Sequence, residues 1–134
     1  MSKRKRPPER RKVVRQKIKI KAEKGERTVY LDVHDAEEPL EFWLRVKGCD
    51  LDAEKEALYN CLARAYALAL QYGAPLEEVG KQLMGVKGEP AGPVVGDDRI
   101  KNCLSVMDFL GRHILIWWCG QDDLAHAPKK ETAL

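Results

Sequence analysis

The sequence predicts an α+β fold: a three-stranded antiparallel sheet with about three helices packed on one face, in the order βββααα. Two observations carry this. Residues 17–46 contain three segments in which apolar and polar side chains alternate with period two, joined by short links. Residues 53–119 contain three segments in which apolar residues recur at steps of three and four, each followed by a glycine. A chain of 134 residues has room for one core. Covering one face of the sheet with helices is the economical way to build it.

The first strand is expected over 17–22, where Ile18, Ile20 and Ala22 alternate with Lys17, Lys19 and Lys21. Lys24-Gly25-Glu26 reads as a turn. The second strand, 28–33, places Val29, Leu31 and Val33 on one face. The third, 40–46, does the same with Leu40, Phe42, Leu44 and Val46. Asp50 or Asp52 then caps a first helix over about 53–72, with a buried stripe of Ala57, Leu58, Cys61, Leu62, Ala65, Leu68 and Ala69. Gly73 stops it, and Pro75 opens a short second helix with Leu76, Val79, Leu83 and Met84 inward, ending at Gly85.

The most legible stretch is 89–120. Pro90, Gly92, Pro93 and Gly96 make a stiff loop, and Asp97 and Asp98 supply an N-cap for a central helix over 99–119. Its stripe runs through Ile100, Cys103, Leu104, Met107, Leu110, Gly111, Ile114, Trp117 and Trp118. Val106, Phe109 and Ile116 widen the stripe, so cover on more than one side is expected, and Gly120 ends the helix.

Residues 1–16 offer little to bury and read as a basic flexible arm, 17–121 as the single domain, and 122–134 as a loose tail. Eleven of the 24 Lys and Arg lie in residues 1–21 against one of the 21 acids, so a segment of +10 precedes a remainder of −7. Such an arm binds phosphates, docks on an acidic partner, or stays solvated. No apolar run reaches bilayer length, so no membrane contact is expected. Cysteines at 49, 61, 103 and 119 have no CxxC spacing, which suits reduced thiols in a cytoplasmic protein. His34, His113 and His126 lie far apart, so no metal site is expected.

Several phrases together resemble a known family. They are RKRPPERR, LEFWLRV, LALQYGAPLEEV, EPAGPVVGDDRIKN, LSVMDFLGR and DDLAH, and in order they cover nearly the whole chain. The chain resembles the TSCPD-type domain at the C-terminal end of adenosylcobalamin-dependent ribonucleoside-diphosphate reductases, and the short stand-alone relatives of that domain. The naming motif, Thr-Ser-Cys-Pro-Asp, falls on Leu104-Ser105-Val106-Met107-Asp108, keeping Ser105 and Asp108; its cysteine position is Val106.

The resemblance implies an accessory or regulatory role in deoxyribonucleotide supply for DNA synthesis, through a reductase catalytic chain or a nucleotide. It implies no catalytic residues here, because ribonucleotide reduction needs a barrel and a redox cysteine pair. Adenosylcobalamin belongs to the full-length enzyme, and no cofactor is expected on this chain. The contact region is expected on the loop (Glu89, Pro90, Gly92) and the helix (Ser105, Asp108, Arg112). For the loop, a phosphate site stands against a crossing loop capped by its own aspartates, and the second is favoured. For the helix, a polar site stands against an ordinary i,i+4 ion pair, and again the second is favoured. Trp117 and Trp118 read as core or interface anchors, with homo-oligomerisation through them as one use, rather than as a base-stacking platform. The competing function is a small protein binding nucleic acid non-specifically through Lys3, Arg4, Lys5, Arg6, Arg10 and Arg11.

Overall fold

The computed structural model describes residues 3–22, 25–48, 51–88 and 90–128. Cys49, Asp50, Glu89 and the Lys24 part of the first turn lie outside the described residues. The elements are β1 (Val13–Ala22), β2 (Gly25–His34), β3 (Phe42–Lys47), α1 (Ala53–Gln71), α2 (Leu76–Leu83), β4 (Gly92–Val95), β5 (Asn102–Cys103) and α3 (Val106–His113). A π-helical turn, Ile114–Trp118, prolongs α3, and a short 3-10 turn spans Asp122–Leu124.

The sheet is antiparallel throughout and has five strands, in the order β3-β2-β1-β4-β5. The three-stranded expectation is therefore corrected. What read as a loop before the central helix contains β4 and β5, and the order becomes βββααββα. Gly92 and Gly96 make this crossing feasible. Their φ angles are +155° and +109°, and a Cβ on either would sit 2.6 Å from Lys21 O or 2.7 Å from Lys17 O. β4 pairs with β1 at Lys19 and Ile20, and no strand of the described residues pairs with the earlier half of β1 on that side.

Alternation built the sheet as expected. Ile18, Ile20, Val29, Leu31, Val33, Phe42, Leu44 and Val46 are all buried on its inner face. Residues from all three helices join them in one core, including Leu70, Val79, Leu83, Phe109, Leu110 and Ile114.

Two helix expectations are corrected. Asp52 caps α1 through Lys55 N–H, 2.9 Å, but the buried stripe of α1 is Ala63, Ala67, Leu70 and Gln71, with Tyr59, Leu62 and Tyr66 half-buried. The expected stripe is rotated off by about one residue. Leu58, Leu68 and Tyr72 are 63%, 45% and 50% exposed, and Ala57, Cys61 and Ala65 are exposed with them.

The central helix begins at Val106, not 99, and its N-cap is Ser105 rather than Asp97 or Asp98. Ile100 and Cys103 are buried, but from the β4–β5 crossing. Cover on several sides is as expected: Val106, Asp108, Phe109, Leu110, Gly111, His113, Ile114, Leu115 and Ile116 are all buried. Among the described residues no helix is long and apolar enough to cross a membrane.

Candidate functional site

Two buried polar clusters flank α3, and the sequence phrases noted above supply most of their members. The first surrounds the start of the helix. Ser105 Oγ donates to Val86 O at 2.6 Å and accepts from Asp108 N–H at 3.0 Å, which closes the first helical turn. Asp108 is fully buried. Its carboxylate accepts from Gly85 N–H (2.7 Å), Leu104 N–H (2.9 Å) and Arg112 Nε (3.1 Å). One side chain thus ties the end of α2, the exit of β5 and the body of α3 together.

Asp108 and Arg112 are the expected i,i+4 pair, and Ser105 stands at the cap. The N–H groups of Leu104 and Asp108, which a phosphate at this helix start would approach, are already bonded within the chain. Pro90 is buried and Gly92 lies in β4, while Glu89 is outside the described residues.

The second cluster joins the β4–β5 crossing to the tail. Asp97 is buried and accepts from the N–H groups of Arg99 (2.8 Å) and Ile100 (3.0 Å). Trp117 Nε1 donates to it at 3.3 Å, and His113 Nδ1 stands 3.6 Å away. Arg99 lies over the Trp117 ring, pairs with Asp122 at 2.6 Å and accepts His126 N–H on its carbonyl. His126 Nδ1 accepts from Lys101 N–H at 2.9 Å. Sequence reasoning singled out Asp97 only as a helix cap and left Arg99, Asp122 and His126 without a role. Their place in the quoted phrases GDDRIKN and DDLAH was the available signal.

Burial pushes the Asp97 carboxyl up, but His113 and the two backbone N–H groups outweigh burial, and the net position is below the ordinary carboxylate value. A lowered folded value means stability that is present above the unfolded Asp range and lost as pH falls through the folded value. Asp97→Asn is therefore expected to be less stable than wild type by about 2 kcal/mol at neutral pH. The difference should shrink as pH drops below about 4. Denaturation midpoints measured from pH 7 to pH 2 check this, and a gap that stays constant with pH would contradict it.

These clusters hold segments in place and bring no reactive group forward. Burial, with Asp108 nearby, raises the Cys103 thiol to about 11, so it is no thiolate at neutral pH. Among the described residues Cys61, Cys103 and Cys119 are unpaired, and no three His, Cys, Asp or Glu gather as metal ligands.

The basic arm lies partly on the body. Arg4 donates to Gln71 Oε1 at 2.6 Å, Lys5 faces Glu38 at 3.7 Å, and Arg11 pairs with Glu41 beside the Trp43 ring. Lys3, Arg6 and Arg10 are exposed. Trp117 is 37% exposed and Trp118 packs against the core, the latter as an anchor.

The family model for the TSCPD domain matches residues 2–115. The chain belongs to the TSCPD domain family. The helix-start cluster at Ser105 and Asp108 falls where the naming motif of that family was placed. The TSCPD domain is also what this chain shares with much longer proteins. It is 33% identical to a vitamin B12-dependent ribonucleotide reductase of Bradyrhizobium diazoefficiens over 137 aligned positions, 98% of this chain and 10% of that protein. It is 41% identical to the protein of the same name from Agrobacterium fabrum over 87 residues, 61% of this chain and 7% of that protein. The chain therefore spans a tenth or less of these relatives. No solved structure matches it.

Proposed function

We propose that this TSCPD domain serves deoxyribonucleotide synthesis as an accessory unit that docks on a ribonucleotide reductase chain. The supporting observation is an alignment that runs along the whole chain yet occupies 10% of the reductase from Bradyrhizobium diazoefficiens. In that relative the corresponding segment has the rest of a large enzyme beside it.

The shape of the domain favours a protein partner over a nucleotide. Leu58, Cys61, Ala65, Leu68 and Tyr72 form an exposed apolar stripe on α1 with 3-4 spacing, the pattern an opposing helix or groove accepts. The loop at Val86–Gly88, beside Ser105, is exposed as well. The reading gives this chain's residues no step at the B12 cofactor for which the relatives are named.

The test is titration calorimetry against a B12-dependent reductase chain trimmed of its own TSCPD segment. Micromolar or tighter binding is expected, with Leu58→Glu combined with Leu68→Glu weakening it at least tenfold, about 1.4 kcal/mol. Both sites are surface positions, and circular dichroism verifies the fold of the variant. Absence of binding would overturn the proposal. So would deoxynucleotide formation by this chain alone with adenosylcobalamin, ribonucleotide and a dithiol.

A further inference from the structure

We propose that the outer face of the sheet, with Arg11 of the arm lying over its Trp43 ring, is a binding platform for single-stranded nucleic acid. Because Ile18, Ile20, Val29, Leu31, Leu44 and Val46 point into the core, their neighbours along each strand must point out. That parity puts Arg15, Lys17, Lys19 and Lys21 of β1 on one face with Arg45 and Lys47 of β3. The acids sharing that face are Glu26 and Asp32 on β2, bound to Lys21 and Arg15 respectively. Lys47 reaches Glu56 of α1 at 3.3 Å. Lys17, Lys19 and Arg45 make no ion pair among the described residues, so the face keeps a surplus of positive charge.

Two aromatic rings lie within this field. Tyr30 is half-buried, and Trp43 is 36% exposed. In the register of β2 and β3, Tyr30 opposes Arg45 and Asp32 opposes Trp43, so the rings are diagonal neighbours. That geometry separates them by about 7 Å, room for two successive bases of an extended strand. Lys17 Nζ and Arg15 Cζ lie over the Tyr30 ring, 5.6 Å and 5.9 Å from its centre, and a stacking base would displace them towards its phosphates.

The face is also a groove rather than a plain surface. A cleft of about 1280 Å³ runs over Arg15, Tyr30, Trp43 and Arg45, walled on the far side by Ala53, Glu56 and Asn60 of α1. Bases on rings with phosphates on adjacent lysines is the way an open sheet takes a single strand. A duplex hides its bases and gains only the charge. The aromatic residues missing from the arm, which limit it to charge, are present here.

Fluorescence anisotropy with labelled 15-mers of thymidylate and uridylate, from 50 to 300 mM salt, tests this on the full chain. Binding is expected, with log K falling against log salt at a slope of about −2 for three phosphate contacts. Lys17→Glu with Lys19→Glu should weaken it at least tenfold, and Tyr30→Leu with Trp43→Leu at least fivefold. Circular dichroism confirms each fold, and wild-type tryptophan quenching by the same oligomers is the second readout. Binding of a 15-pair duplex or of heparin as tightly as the single strand would overturn the proposal. It is equally overturned if there is no anisotropy change at 50 mM salt, or if Lys3→Glu, Arg6→Glu and Arg10→Glu together abolish binding that the sheet variants leave intact. The reductase titration above concerns α1, so the two proposals stand or fall separately.

Discussion

Gly111→Ala is expected to cost about 3 kcal/mol, the upper end of what overpacking a core costs. A Cβ at this position would lie 2.3 Å from Met84 N and 2.8 Å from Gly80 O and Leu83 C. All three are backbone atoms at the end of α2, so no rotamer change relieves the clash and the helices must part. Gly80 on α2 is close as well, though its Cβ would meet side-chain carbons of Leu115 at 2.8 Å rather than backbone. A loss of this size is a large part of the 5–15 kcal/mol that holds a typical domain together. Urea denaturation measures it. Gly88→Ala is the control, since its Cβ would meet nothing closer than Ser105 Cβ at 3.5 Å, and it should shift stability by no more than about 0.5 kcal/mol. A wild-type midpoint for Gly111→Ala would mean that the two helices do not approach this closely.

Asp108→Ala should be as damaging, at about 3–5 kcal/mol, the usual consequence of breaking a buried charge pair from one side. The carboxylate satisfies two backbone N–H groups and Arg112, and all three lose their acceptor together. Arg112 has a partly exposed side chain and can turn to water. The N–H groups of Gly85 and Leu104 are fixed by the backbone. The greater part of the cost should therefore persist when Asp108→Ala is made in an Arg112→Ala background. Four denaturation curves form the cycle. A coupling as large as the whole effect would show that the ion pair, not the backbone bonds, carries the cluster.

The sheet interior was legible because β1, β2 and β3 each alternate cleanly, and the core positions read from them are buried except Ala22 and Leu40, which are half-buried, Leu40 lying just before β3. β4 and β5 were not. They are four and two residues long, β4 opens on Gly92-Pro93, and both hydrogen-bond to partners that no local pattern names. Asp97 misled for a physical reason: it accepts N–H groups two and three residues on, as an N-cap does, but there it closes a turn. Ile100 and Cys103 kept helical spacing with the true helix by coincidence, since both face the core from a different element. On α1 both faces are apolar, so periodicity found the helix and chose the wrong side.

The site divided similarly. Ser105, Asp108 and Arg112 stood at helical spacing and could be read together. The tail residues meeting Arg99 lie more than twenty positions away, where sequence spacing carries no information.

The short reach of β4 has a consequence for how this protein behaves in a crowded solution. Along the opening half of β1 a row of backbone donors and acceptors faces outward, an invitation to any other extended chain, including a second copy. Val13 and Val14, each 44% exposed, would make that docking sticky. Lys12, Arg15 and Lys17 stand guard, since two such flanks would bring like charges together. That guard is electrostatic and weakens as salt shortens the Debye length to about 3 Å near 1 M. Concentrated salt should then let copies pair flank to flank, and because the same flank meets itself the contact closes as a dimer.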